Sequence, residues 1–202
     1  MADNYIESYL ADTRRVLESL NKQAIKKAVE ILKSVKKIKG RVFLLGVGGS
    51  AANASHAAND FRKIGGIEAY AATDNVAELT SRINDDGWET VFANWLKTSR
   101  LNKKDCVFVF SVGGGSKEKN ISANLVFALE YARRVKAKII GIVGRDGGYT
   151  AKVADTAIIV PTVNKDVVTA LTESFQPLIW HLLVTHPSLK SHEMKWESVK
   201  SR

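Results

Sequence analysis

Apolar residues recur every three or four positions in the first forty residues, a spacing that predicts two amphipathic helices. Polar and charged residues fill the positions between them, and Gly40 ends the second helix in the way a glycine just past a helix end does. The apolar positions of the first helix include Tyr9, Val16 and Leu20, and those of the second include Ala28, Leu32 and Val35.

Beyond Gly40 the pattern changes to short, continuous apolar runs that alternate with helical segments. The runs predict five buried strands, at 41–45, 67–72, 106–110, 138–143 and 156–160. The segments between and after them predict helices at 51–64, 76–83, 88–96, 118–135 and 167–184. Such alternation predicts an α/β fold, a three-layer α-β-α sandwich with a five-stranded parallel sheet and two extra N-terminal helices.

A chain of 202 residues without an evident linker or internal repeat is expected to form one domain, 1–202. Within it we expect the helices over 3–39 to serve as an oligomerisation element. The wound α/β unit covers 41–187, and 188–202 forms a C-terminal tail.

Composition and the single cysteine indicate the cellular compartment in which the protein is expected. Hydrophobic residues make up 45% and charged residues 25%, the usual mix of a soluble globular protein. The polar start of the chain does not have the pattern of a secretory signal, and its apolar runs are shorter than the roughly 18 residues of a membrane span. The single cysteine, Cys106, excludes an internal disulfide and lies in an apolar run, which predicts a buried, inert thiol. We therefore expect a cytoplasmic protein.

The net charge of +9 favours anionic ligands, either a sugar phosphate or nucleic acid. A solvated helix face is the simpler interpretation of the lysine-rich second helix, so we do not expect nucleic acid or membranes as partners. The basic residues concentrate in two stretches: Lys22, Lys26, Lys27, Lys33, Lys36, Lys37, Lys39 and Arg41, then Lys190, Lys195, Lys200 and Arg202.

Glycine- and serine-rich loops follow three of the predicted strands, at 46–50, 111–116 and 144–148. Ligands of open α/β sheets bind at the carboxyl ends of the strands, where backbone N–H groups and helix N-termini attract anions. None of these loops has the spacing of a P-loop or of a dinucleotide-binding turn, which disfavours a nucleotide cofactor.

Two pairs of polar side chains lie on the helices beside these loops. His56 and Asp60 are one turn apart on the helix after the first loop, and Glu173 and His181 are about two turns apart on the last helix. All four side chains can bind zinc. Taken alone, the first pair also suits a surface interaction, and His181 suits a satisfied core histidine.

Together these motifs resemble the sugar isomerase (SIS) domain family, and within it the phosphoheptose isomerases. Gly46–Ser50 resembles that family's Gly-Asn-Gly-Gly-Ser loop. His56 and Asp60 resemble the family's His-x-x-x-Glu motif, and Ser111–Ser116 resembles the family's phosphate loop. Asn84-Asp85 matches the family's Asn-Asp pair after the second strand, and 144–148 its Gly-Lys-Asp-Gly-Gly turn.

The resemblance implies a zinc ion bound by His56, Asp60, Glu173 and His181, with Asp60 as the base and His181 as the acid. It implies a homotetramer with pockets between subunits. The substrate contacts implied are Gly48, Gly49, Ser50, Asn53, Asn84, Asp85, Ser111, Gly113, Ser116 and Glu173.

The chain departs from the family pattern at several of these positions. Val47 replaces an asparagine, Val112 and Gly113 replace hydroxyl residues, Asp60 is shorter than glutamate, and Glu173 replaces glutamine. Two functions follow. The first is a zinc-assisted aldose–ketose isomerase acting through an enediol, with sedoheptulose 7-phosphate and heptose 7-phosphate as the expected pair. The alternative is a non-catalytic sugar-phosphate-binding or regulatory scaffold.

Overall fold

A computed structural model of the chain describes residues 2–199, with the side chains of residues 2 and 3 left undescribed. Its five strands form a parallel sheet in the order β2-β1-β3-β4-β5. The strands are β1 (Val42–Leu45), β2 (Ala69–Ala71), β3 (Cys106–Ser111), β4 (Lys138–Gly144) and β5 (Thr156–Val160). The helices are α1 (Ala2–Ser19), α2 (Lys22–Lys37), α3 (Gly49–Lys63), α4 (Val76–Asp86), α5 (Val91–Thr98), α6 (Ala123–Arg134), α7 (Gly148–Val153), α8 (Val168–Thr185) and α9 (Lys195–Ser198).

Helices cover both faces of the sheet, which confirms the predicted three-layer sandwich. On one face α1, α2, α3 and α8 form a core with the sheet that includes Phe61, Phe108 and Trp180. On the other face α5 and α6 form a second core around Phe43 and Phe92. The continuous apolar strands are buried on both sides for this reason, as expected for parallel strands.

Helix α8 lies in the middle of the first layer, against α3 and β4. The segment Lys165–Thr185 has a mean hydropathy of 1.2 and is, among the described residues, the one helix whose length and composition would suit a membrane span. Ile179, Trp180 and Leu183 are completely buried in the core, so this hydropathy reflects packing against the sheet.

The helix predicted at 118–135 is present, but its predicted start at residue 118 was wrong. Residues 116–121 form a loop that is closed by backbone hydrogen bonds of 2.8 and 3.0 Å between Ser116 and Ile121, and α6 begins at Ala123. Asn120 and Ser122 both have φ of 49°, a left-handed conformation that interrupts any helix there. Ser122, and not Ser116, is therefore the serine that directly precedes α6. The short helix α7 was not predicted, because six residues carry too little periodicity.

Helix α1 and the segment just after α8 both pack against the domain. On α1, the buried Asp12 accepts hydrogen bonds from Arg15 and, at 2.7 Å, from Asn164 in the loop after β5. In the segment predicted as a tail, Leu189 is completely buried and the Ser191 amide donates to the Ile64 carbonyl at 2.8 Å. Lys200 and Arg202 of the predicted basic end lie outside the described residues.

Candidate functional site

Helices α3 and α8 bring three of the four predicted metal ligands together. The Nε2 atoms of His56 and His181 lie 3.5 and 3.2 Å from Oδ2 of Asp60. The three ligand atoms are all within 4.8 Å of one another. One turn of α3 separates His56 from Asp60, so the two side chains share a helix face, and that face is turned toward α8.

The Asp60 carboxylate is buried and both of its oxygens have donors. Oδ2 accepts a hydrogen bond of 3.1 Å from the indole N–H of Trp180, and Oδ1 accepts one of 3.0 Å from the Asn59 amide. By contrast, the side chains of His56 and His181 are 56% and 45% exposed. The cluster therefore has a buried carboxylate at its base and two imidazoles at its solvent side.

This arrangement fits a divalent metal ion such as zinc. Two imidazole nitrogens and a carboxylate oxygen are ligands that zinc prefers, and ligands of a tetrahedral zinc lie about 3.3 Å from one another. The two distances to Asp60 Oδ2, 3.5 and 3.2 Å, lie on either side of that spacing. Three protein ligands with an exposed side are typical of catalytic zinc sites, which keep a position open for water or substrate.

Glu173, the fourth predicted ligand, is not part of this cluster. Its carboxylate lies against Gly49 in the first turn of α3, where an added Cβ would collide with it. Eight residues of helix separate Glu173 from His181, an axial distance of about 12 Å. Gly49 thus leaves room for an acidic side chain beside the first loop, two turns away from the histidine cluster.

A buried amide network fixes the start of α3 next to Glu173. Gln176, which is completely buried, donates to the Ser50 hydroxyl at 3.0 Å and accepts from the Asn53 amide at 2.7 Å. Asn53 also donates to the Glu173 carbonyl at 2.9 Å. The first loop and α8 are joined through polar side chains at this end of the sheet.

The first loop itself exposes its backbone. Gly48 has φ of 61° and open space where a side chain would be, whereas Val47 is 39% exposed. The left-handed conformation at Gly48 explains the need for glycine there. The peptide groups of this loop can therefore approach a ligand closely, although Val47 offers no polar side chain to it.

The loop after β3 is held by its own hydroxyl and by the turn after β4. Ser111 is buried and accepts a hydrogen bond of 3.0 Å from the Gly114 amide. The Gly114 carbonyl accepts from both the amide and the hydroxyl of Thr150 in α7. Gly113 has open space around it. The Gly113 backbone is therefore more accessible than that of Gly114 and Gly115, which are buried.

Ser116 has a local role in the structure. Its exposed hydroxyl donates to the Glu118 carboxylate at 3.1 Å and accepts from the Lys119 amide at 3.2 Å. The backbone N–H of Glu118, and then this hydroxyl, lower the pKa of Glu118. A cavity of about 290 Å³ lies beside this loop, and its lining includes Gly113, Ser116, Lys119, Arg145 and Lys152.

Asn84 and Asp85 lie in the last turn of α4, on the layer opposite α3 and α8. Their side chains are exposed and bond to each other at 2.8 Å. The acidic residue directly after β2 is Asp74, which accepts a hydrogen bond from Ser55 of α3, the neighbour of His56. The predicted substrate contacts are thus divided between two layers of the fold.

Sequence reasoning missed two residues that contact the cluster directly, Trp180 and Asn59. Trp180 has the position of an ordinary core residue on α8, and nothing in its spacing reveals that its N–H meets a carboxylate. Asn59 precedes Asp60 in a polar helix and carries no signal of its own. Ser122 was missed as the residue before α6, because the sequence pattern did not show that the loop at 116–121 precedes the start of that helix.

Comparison with known proteins gives consistent matches. Residues 4–144 match the SIS domain family. A phosphoheptose isomerase from Helicobacter pylori is 32% identical over 172 residues, which cover 80% of this chain and 85% of that protein. A lincomycin biosynthesis protein from Streptomyces lincolnensis is 29% identical over 88% of this chain and 66% of its own length. A phosphoheptose isomerase structure from Neisseria gonorrhoeae has a TM-score of 0.78 at 25% identity, covering 91% of this chain and 98% of that one.

Proposed function

Because the chain belongs to the SIS domain family, as its motifs predicted, and is a phosphosugar isomerase, we propose that it interconverts sedoheptulose 7-phosphate and a heptose 7-phosphate. The observation that supports this most strongly is the cluster of His56, Asp60 and His181, which α3 and α8 bring together.

The reaction moves one proton between two carbons and another between two oxygens. In the ketose-to-aldose direction Asp60 would take a proton from C1 and return it to C2 through an enediol. His181 would donate a proton to the oxygen on C2 and accept one from the hydroxyl on C1. The two groups lie 3.2 Å apart, so one bound sugar can contact both.

His56, Asp60 and His181 would hold one zinc ion, which would polarise the carbonyl group of the sugar. The role of Glu173 follows from its position. While its carboxylate lies against Gly49 it would accept hydrogen bonds from sugar hydroxyls, and it would reach the ion as a fourth ligand only after leaving Gly49.

The phosphate would be bound by the loops at 46–50 and 111–116, through backbone N–H groups and serine hydroxyls. Ser50 and Ser111 stay the proposed hydroxyl contacts, together with the backbone of Gly48 and Gly113. We add Ser122 to Ser116 as a phosphate contact, because Ser122 directly precedes the N-terminus of α6, where anions are stabilised. Asn53, Asn84 and Asp85 stay proposed substrate contacts.

We further propose a cytoplasmic homotetramer with pockets between subunits and no nucleic-acid partner. Four large apolar side chains on α1 support the assembly, since they are at least half exposed: Tyr5, Ile6, Leu10 and Leu17. Exposed apolar groups at this density on one helix favour contact with another protein surface.

A panel of phosphorylated ketoses of five to seven carbons, assayed with and without a chelator, tests the proposal. We expect turnover of the seven-carbon substrate, loss of turnover with chelator, and recovery on adding zinc. Turnover restricted to a shorter sugar would overturn the substrate assignment, and turnover unaffected by the chelator would overturn the metal assignment.

The alternative, a non-catalytic sugar-phosphate-binding scaffold, is favoured by one observation. Val47 and Gly113 offer no side-chain donors at positions where the family pattern has polar residues. Binding of sugar phosphates without any turnover, in protein that contains no stoichiometric metal, would support the scaffold over the isomerase.

A further inference from the structure

We propose that Trp180 is a positioning residue, whose indole N–H fixes the Asp60 carboxylate in the orientation that binds the metal. The proposal rests on the function proposed above and extends it to a residue that contacts the ion only through Asp60.

The hydrogen bond is placed where it can restrict the carboxylate. Trp180 Nε1 lies 3.1 Å from Oδ2 of Asp60, the same oxygen that faces both imidazoles. Asn59 donates to the other oxygen. Because each oxygen is bonded to a different donor, rotation of the carboxylate would break a hydrogen bond in a nearly solvent-free environment, where the loss is costly. Asp60 is 5% exposed.

The indole is itself held in place by aromatic contacts. It stacks on Phe110 of β3 with a centroid distance of 5.6 Å and an interplanar angle of 16°. The His56 ring meets it edge-on at 5.3 Å, and the His181 ring lies 5.1 Å away. Trp180 is completely buried. Because these contacts hold the indole in place, its N–H restricts the orientation of the Asp60 carboxylate.

Packing and hydrogen bonding make different predictions for a change at this residue. If Trp180 only fills the core, replacing it should lower stability. Any change in metal affinity should then be the same in the presence of Asp60 and in its absence. If its N–H orients Asp60, the effect on metal affinity should depend on the carboxylate. Hydrogen-bond partners of metal ligands typically contribute 10–100-fold to metal affinity.

A double-mutant cycle separates these cases. Zinc affinity is measured by competition with a chromophoric chelator for the wild type, Trp180→Phe, Asp60→Ala and the double variant. We expect Trp180→Phe to weaken zinc binding about 10–100-fold when Asp60 is present, and less than about twofold when it is absent. Trp95→Phe is the matched control, since Trp95 meets Phe43 edge-on at 5.5 Å in the other core, and should leave zinc affinity unchanged.

An equal loss in both backgrounds would overturn the proposal and leave Trp180 as a packing residue. An Asp60→Ala protein with unchanged zinc affinity would instead show that the proposed metal site is wrong. If Trp180→Phe does not fold, tryptophan can be replaced biosynthetically by its sulfur isostere, which keeps the ring shape and lacks the N–H. The isostere-containing protein should show the same 10–100-fold loss, and undiminished affinity would contradict the proposal.

Discussion

The Nε2 atom of His181 on α8 lies 3.2 Å from the Oδ2 atom of Asp60 on α3. The two helices are far apart in sequence and both pack on the same face of the sheet. Their contact brings together a His/Asp pair on α3 and a single histidine in the apolar helix α8. The resulting cluster has a buried carboxylate and two accessible imidazoles.

Replacing Asp60 with asparagine should lower kcat about 10²–10⁴-fold, because the amide cannot accept the proton that the reaction moves. The side-chain shape is retained and the amide oxygen can still accept the hydrogen bond from Trp180, so circular dichroism should be unchanged. Asp86→Asn, at an exposed carboxylate on α4, serves as the control and should retain wild-type kcat. An Asp60→Asn protein with full activity would exclude Asp60 as the base.

Replacing Gln176 with leucine should destabilise the protein by about 1–3 kcal/mol and raise KM for the sugar phosphate. The change removes a buried amide, leaving the Ser50 hydroxyl without its donor and Asn53 with one acceptor fewer. Urea denaturation and steady-state kinetics measure the two effects. A stability loss without any change in KM would mean that this network supports the fold and does not orient the first loop.

The contact between Asp12 and Asn164 should make the docking of α1 sensitive to acid. The hydrogen bond from Asn164, followed by that from Arg15, holds the pKa of Asp12 below its ordinary value. Since the folded state favours the carboxylate, this stabilisation is complete above the unfolded-state pKa of about 3.9. It is lost as the pH falls through the lower folded-state pKa.

Asp12→Asn should therefore be less stable than the wild type at pH 7, and the difference should disappear well below pH 4. Urea midpoints at pH 7, 5 and 3 measure this. Glu7→Gln, at an exposed carboxylate on the same helix, should show no such trend. A stability difference between Asp12→Asn and the wild type that stays constant with pH would refute the role assigned to the Asp12 carboxylate.

The Cys106 thiol should be unreactive in the folded protein. It is completely buried in β3, and burial raises its pKa well above the ordinary value. Labelling with a thiol reagent at pH 8 should be at least about 100-fold slower than in urea, because it requires an opening that costs about 3 kcal/mol or more. Labelling at equal rates in both conditions would show that β3 is accessible in the native state.

The strands were predictable because a parallel sheet covered on both faces requires continuous apolar runs. Thr156–Val160 was predicted with its observed bounds, and the other strands differ at their ends by one or two residues. Gly48 was singled out for a similar reason, since it lies in a loop at the carboxyl end of a strand. His56 and His181 were singled out as zinc-competent side chains at positions that resemble the family pattern.

The remaining features depend on contacts between distant residues. The Glu173 carboxylate occupies the space that a side chain at residue 49 would fill, and no spacing rule reveals that proximity. The hydrogen bond from the Trp180 N–H to Asp60 was likewise not predictable, because Trp180 has the spacing of an ordinary apolar core residue. The sequence pattern placed residues 118–121 in a helix, whereas Asn120 and Ser122 adopt left-handed conformations that this pattern did not indicate.

Metal content and turnover, measured on the same preparations, test most directly whether His56, Asp60 and His181 hold the metal that isomerisation needs. We expect one zinc ion per wild-type chain, loss of turnover in step with its removal by a chelator, and recovery at one equivalent of added zinc. His56→Ala and His181→Ala proteins should retain neither metal nor turnover. Metal-free wild-type protein that isomerises its sugar phosphate at the full rate would contradict the account.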